Sequence, residues 1–347
     1  MRTVGLKPHS GADFQRGTFS LFIIGVALRF IPAATTAAPA PRITSSGPNS
    51  GGDVIPTYSL SVTAPGGGNV LVNPSNPSYV SNAVVSISAS AKNGWTFLGW
   101  SGDASGTDAT VRITMSDDKC VQAIFGTSLN TTTTGNGYVL VSPTAASYPY
   151  GSVVQLSAVP IVGSYFSIWA TAANSTASPL LFVMTNANPS ISALFNPLSA
   201  GAFSLTVTPN GAGNISYTPR SDRYISGQVV ALTATPDAGQ AFIGWSGDAT
   251  GTDNPMTVTM NQTKVITAKF TSRPRFVADL CDGRASESGF RITLVGQLGD
   301  HYQLEGSADL VSWTPLVTLT NAFGLSQYSE SFKTNFSRRF YRALLLP

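Results

Sequence analysis

The sequence predicts an all-β chain: three tandem small β-modules followed by a small β-sandwich. Three observations predict it. Residues 97–108 read Phe-Leu-Gly-Trp-Ser-Gly-Asp-Ala-Ser-Gly-Thr-Asp and return at 242–253 as Phe-Ile-Gly-Trp-Ser-Gly-Asp-Ala-Thr-Gly-Thr-Asp. That offset of 145 holds without a gap from Tyr58/Phe203 to Phe125/Phe270, and a worn copy between them aligns Phe166 and Trp169 with Phe97 and Trp100. Self-similarity at a fixed period marks a tandem array. Inside each copy apolar residues alternate with polar ones, the period of a half-buried strand, and no window carries useful helical periodicity.

The order of segments follows. Residues 1–40 have a polar, positively charged start, an apolar run at 21–28 and alanine-rich sequence after it, the order of a secretory signal. Residues 41–56 are a Ser/Gly/Pro linker without a core of its own. The first module spans 57–126. Tyr58, Leu60 and Val62 lie on one face of its opening strand; the glycines at 66–68 turn the chain into a strand at 70–72, and this pair is expected to form a hairpin. Strands at 84–89, 95–100, 111–115 and 121–125 complete it, with a turn at 116–119. The second module, 127–198, keeps Phe166, Trp169 and the closing Phe195 but has Ala170 to Ala177 where its neighbours have the Gly-Asp loop. The third, 199–272, restores the full pattern. Residues 273–347 do not repeat it; strands at 290–294, 302–305, 313–319 and 339–345 suggest a β-sandwich. The stretches 126–130 and 196–201 are expected to be linkers of limited flexibility.

Composition narrows the function. Of 347 residues only 11% are charged. The net +3 resides in residues 1–40, where Arg2, Lys7, Arg16 and Arg29 outnumber Asp13, so the remainder is neutral and nothing steers it toward nucleic acid or anionic lipid. Residues 126–219 hold no Asp, Glu, Lys, Arg or His at all. Such a segment stays in solution through hydroxyls, amides and neighbouring modules. No apolar stretch is long enough to span a bilayer. Cys120 and Cys281 are the only cysteines, with His9 and His301 the only histidines. Cys120 aligns with Val265, as a small buried hydrophobe would, and a bridge to Cys281, crossing a repeat and a domain boundary, is not expected. No nucleophile, base and orienting partner assemble in the sequence, so the chain is expected to be no enzyme and to need no cofactor.

Candidate sites are few. Phe97, Trp100 and Phe125, with Phe166, Trp169 and Phe195 and with Phe242, Trp245 and Phe270, hold repeat positions and read as core packing. Trp95 stands apart, because Ser164 and Gln240 replace it in the other copies; if one aromatic is exposed for a ligand, it is Trp95. Asp103 with Asp108, and Asp248 with Asp253, invite a calcium reading beside Ser and Thr oxygens. Calcium takes six to eight oxygens, though, and aspartates in turns also bond backbone N–H groups. The arginines at 338, 339 and 342 read as a charged strand edge.

The Phe-x-Gly-Trp-Ser-Gly-Asp motif, followed by a strand ending Ala-x-Phe, resembles the divergent internalin-type B-repeat of bacterial surface and secreted proteins. The resemblance covers about 57–271. It implies a β-grasp-like module serving as an extracellular spacer or adhesive element, and it brings no catalytic residue. The tail, with Tyr302-Gln-Leu-Glu and Arg339-Phe-Tyr-Arg342, is similar to C-terminal β-modules of large secreted proteins of environmental bacteria. The expected protein is thus secreted or cell-surface, monomeric, and partnered by an extracellular protein or a glycan. The second reading is a carbohydrate-binding accessory module with exposed aromatics.

Overall fold

The computed structural model describes residues 55–277, 289–331 and 339–346. The expected signal, most of the linker, Cys281 and Arg338 lie outside the described residues.

Module 1 comprises β1 (Leu60–Thr63), β2 (Gly68–Asn73), β3 (Val84–Ala91), β4 (Thr96–Gly102), β5 (Thr110–Thr114) and β6 (Lys119–Thr127). Strands β2, β3 and β5 form one antiparallel sheet, while β6 runs parallel to β1 and antiparallel to β4 in the other. The pattern recurs in module 2 with β7 (Asn130–Thr134), β8 (Gly137–Ser142), β9 (Val153–Pro160), β10 (Ser164–Thr171), β11 (Leu180–Val183) and β12 (Ser190–Pro197). It recurs again in module 3 with β13 (Leu205–Asn210), β14 (Gly213–Thr218), β15 (Val229–Pro236), β16 (Phe242–Gly247), β17 (Met256–Thr259) and β18 (Lys264–Phe270). The parallel pairing of first and last long strands belongs to a grasp-like sheet; no α-helix crosses it among the described residues.

This topology corrects the expected hairpin. The turn at 66–68 carries the chain from one sheet to the other, so β1 pairs with β6 and not with β2. The physical reason is the closing phenylalanine. A Cβ at Gly68 would stand 2.2 Å from the Phe125 ring, and at the equivalent Gly137 and Gly213 it would stand 2.5 Å from Phe195 and Phe270. The glycine backbone lies flat on that ring, and the two sheets close around it.

Alternation builds each core. In β3, Val85 and Ile87 are buried while Val84 is exposed, and Val154/Leu156 and Val230/Leu232 repeat this in β9 and β15. A buried tyrosine pins each long loop: Tyr79, Tyr148 and Tyr224 donate to the carbonyls of Pro74, Pro143 and Pro219 at 2.7–2.9 Å.

The tail forms two three-stranded sheets from β19 (Arg275–Val277), β20 (Gly289–Val295), β21 (His301–Ser307), β22 (Thr314–Thr320), β23 (Leu325–Ser331) and β24 (Phe340–Leu345), ordered β19-β20-β23 and β22-β21-β24. Arg339 and Arg342 make no free basic edge. Arg339 pairs with Glu330 at 3.0 Å, and Arg342 pairs with Glu305 at 2.6 Å and lies 4.4 Å over the Trp313 ring.

Two further expectations change. Gly126 and Thr127, expected in a linker, belong to β6 and pair with Pro149 and Tyr148 of module 2. Cys120 is disulfide-bonded. The expected absence of a bridge to Cys281 concerns a residue outside the described ones.

Candidate interaction site

The repeat motif is a structural device. Phe97, Phe166 and Phe242 pack against Trp100, Trp169 and Trp245 with ring centroids 5.0–5.2 Å apart, and against Phe125, Phe195 and Phe270 at 5.6–5.9 Å. The three tryptophans are almost fully buried, and each indole N–H donates to the carbonyl eight residues on, at Asp108, Ala177 and Asp253.

The aspartates of the loops serve the same device. The Asp103 carboxylate accepts the N–H of Cys120 at 2.7 Å while its own N–H reaches the Cys120 carbonyl. Asp248 does the same with Val265. Asp108 and Asp253 contribute their backbone carbonyls to the indoles. No group of three or more His, Cys, Asp and Glu side chains stands together among the described residues. Gly102 is required by the clamp: at φ +91°, a Cβ would stand 2.2 Å from the Cys120 carbonyl oxygen. Module 2 keeps this shape with other residues. Thr171 holds the positive φ of 72°, its hydroxyl bonds the Ser190 carbonyl, and Trp169 N–H still reaches Ser175. The loop that looks lost in the sequence keeps its fold.

Trp95 marks a junction. It is half-buried and stacks on Tyr150 of module 2 with centroids 5.5 Å apart. Beside it, Thr127 Oγ1 donates to the Gly94 carbonyl and accepts the Asn188 N–H. At the equivalent position in module 3, Gln240 bonds both the N–H and the carbonyl of Arg273, where the tail begins. In modules 1 and 3 the position meets different neighbours, Tyr150 in one and Arg273 in the other. The variability of Trp95, Ser164 and Gln240 was the sequence signal; the neighbours themselves were invisible to it.

The neighbours converge on module 2. Module 3 lies against β9: Gln155 donates to the Pro209 carbonyl at 3.4 Å, and Ser157, Thr206 and Thr208 are buried. Arg223 of module 3 sits 5.6 Å over Tyr165. From the tail, Leu298 packs on the core around Tyr148, Val154 and Met184, and a Cβ on Gly99 of module 1 would come within 3.2 Å of Phe323. A charge-free module is thus contacted by three others, which removes the need for charge on the faces they cover.

Module 1, module 2 and the tail leave between them a cleft of about 500 Å³. Pro65, Tyr150, Val153, Leu298, Phe323 and Leu325 supply its apolar walls, with the amides of Gln122 and Gln297 among them, and no lining residue is charged. Its size and lining suit an uncharged, largely apolar ligand group. The five tryptophans form no open platform: three are core, Trp95 is covered by Tyr150, and Trp313 lies under Arg342.

The family comparison agrees with this architecture. The profile of the divergent InlB B-repeat domain matches residues 58–128, 127–199 and 203–274. No curated protein sequence matches the chain. Three successive matches that cover most of the chain, on three modules of one topology, show that it belongs to the divergent InlB B-repeat family.

Proposed function

We propose that the protein is a non-catalytic, extracellular repeat protein acting as an adhesive or interaction module, with the three-walled cleft as its binding site. The observation that carries this reading is the return of the tail onto modules 1 and 2. A spacer gains reach only when its units extend in line, whereas here the last module closes against the first two. The family's extracellular character and the paucity of surface charge support the location. No helix of the described residues is long and apolar enough to cross a membrane.

The test uses Trp95, which shares the Tyr150 wall of the cleft, as the reporter. Tryptophan emission is recorded while extracellular matrix proteins and neutral polysaccharides are titrated in. A saturable change that Leu298→Lys abolishes and Trp95→Phe silences supports the reading. A polysaccharide as the sole effector favours the carbohydrate-binding alternative. Small-angle scattering that shows an extended chain, with no titrant altering the emission, returns the protein to a spacer.

A further inference from the structure

We propose that the protein associates with a second copy of itself by pairing β11 with its symmetry mate, centred on Leu181. Strand β11 is one of the two edges of the β8-β9-β11 sheet. Its outward residues are Leu181, 67% exposed, and Val183, 46% exposed, and Val153 opposite Val183 extends the apolar strip.

The sister modules provide the control. At the positions of Leu181 and Val183, module 1 carries Arg112 and Thr114 and module 3 carries Thr257 and Thr259, each fixed by the same register against the middle strand. The fold therefore does not require apolar residues there. Charge on an edge strand discourages pairing, and module 2 alone presents two exposed aliphatic side chains there.

The backbone fits a two-fold pairing. Met184 N–H bonds the Ser152 carbonyl, so with antiparallel alternation Phe182 and Leu180 also face β9, and the N–H and C=O of Leu181 face the open edge. Centred on Leu181, the ladder sets Leu181 against Leu181 of the second copy, exchanging two N–H···O=C bonds. Two residues on, Val183 N–H meets the carbonyl of Pro179. The reverse bond is not needed, since Pro179 has no N–H and the Val183 carbonyl already accepts Thr185 N–H at 3.0 Å.

The occupant follows from charge. An isologous contact places each residue near its own copy, so any charge close to the axis repels itself. Residues 126–219 carry none. A partner steered by electrostatics would find nothing here to complement, whereas a second copy finds a neutral strip that matches its own. This departs from the monomer expected of the sequence, and of the strip's residues Val153 also borders the cleft.

Sedimentation velocity of the purified full chain, over roughly 5 to 500 μM, covers the range in which a small transient interface dissociates. The expected result is a concentration-dependent dimer. Leu181→Arg, which installs the residue type module 1 has there, weakens it about tenfold or more, while Leu71→Arg on the exposed outer face of module 1 leaves it intact. Leu181→Cys provides a measurement that survives a short-lived contact: oxidation captures a covalent dimer on a non-reducing gel. A wild type that stays monomeric and a Leu181→Cys chain that yields no covalent dimer overturn the proposal. A dimer unmoved by Leu181→Arg, or weakened equally by Leu71→Arg, overturns it as well.

Discussion

The indole N–H of Trp169 donates to the carbonyl of Ala177 at 2.7 Å, although the Gly and Asp residues that accompany this bond in the sister modules are absent between them. The bond ties the end of β10 to the loop, beside the bonds from the Trp169 backbone N–H to the Ser175 carbonyl and from the Ala158 N–H to the Ser178 hydroxyl. Trp169→Phe should keep much of the ring contact with Phe166 and lose the bond, at a cost of about 1–3 kcal/mol. Urea denaturation followed by circular dichroism checks this.

Asp103→Ala should cost about 1–2 kcal/mol by stripping the Cys120 N–H of its acceptor, with Asp248→Ala acting likewise on Val265. Because each of these carboxylates already holds a strand and each loop has only two, added calcium is expected to leave the melting temperature unchanged. A calcium-dependent rise that both substitutions abolish would reinstate the metal reading.

Burial pushes the Tyr224 phenol up to about 12, the N–H of Ser221 opposing it weakly. Its folded value lies above its unfolded one. Its contribution is therefore complete below about pH 10, the unfolded value, and is lost as pH rises through about 12. Melting temperature should fall over that window, and Tyr224→Phe should flatten the fall while lowering stability at neutral pH through loss of the bond to Pro219. Burial and the carboxylates of Asp300 and Glu330 also raise Tyr302 and Tyr341, so the tail should share this alkaline sensitivity.

The disulfide at Cys120 predicts that alkylation of the native chain labels no thiol, and that two become labelled after reduction. A disulfide contributes about 2–4 kcal/mol to stability. Reduction should lower the melting temperature.

Much of the fold was legible, for identifiable reasons. The offset that aligns Phe97, Trp100 and Phe125 with their copies marks the modules, and alternation finds strands because burial on one face writes directly into sequence. Which strands pair is a different matter. The turn at 66–68 looks like a hairpin, since local chemistry cannot reveal that the Phe125 ring, far along the chain, separates the two strands into different sheets. The site was less legible still. Trp95 stood out through its replacement by Ser164 and Gln240, yet its partner Tyr150 and the returning Phe323 are tertiary facts. Thr171 carries a glycine's conformation without being one, so the loop of module 2 could not be read from its letters.

Strand β6 has a further consequence. It ends at Thr127, within the span claimed by two successive family matches, and its last two residues give module 2 the pairing that module 3 obtains from its own Ala202–Phe203. The first two modules therefore have no seam. A rearrangement of genes that cut between them would either shorten β6 of module 1 or leave module 2 without the pairing that Gly126 and Thr127 give it. The smallest heritable unit at this end of the chain is the pair, and module 3, which brings its own opening strand, is the copy free to be gained, lost or moved.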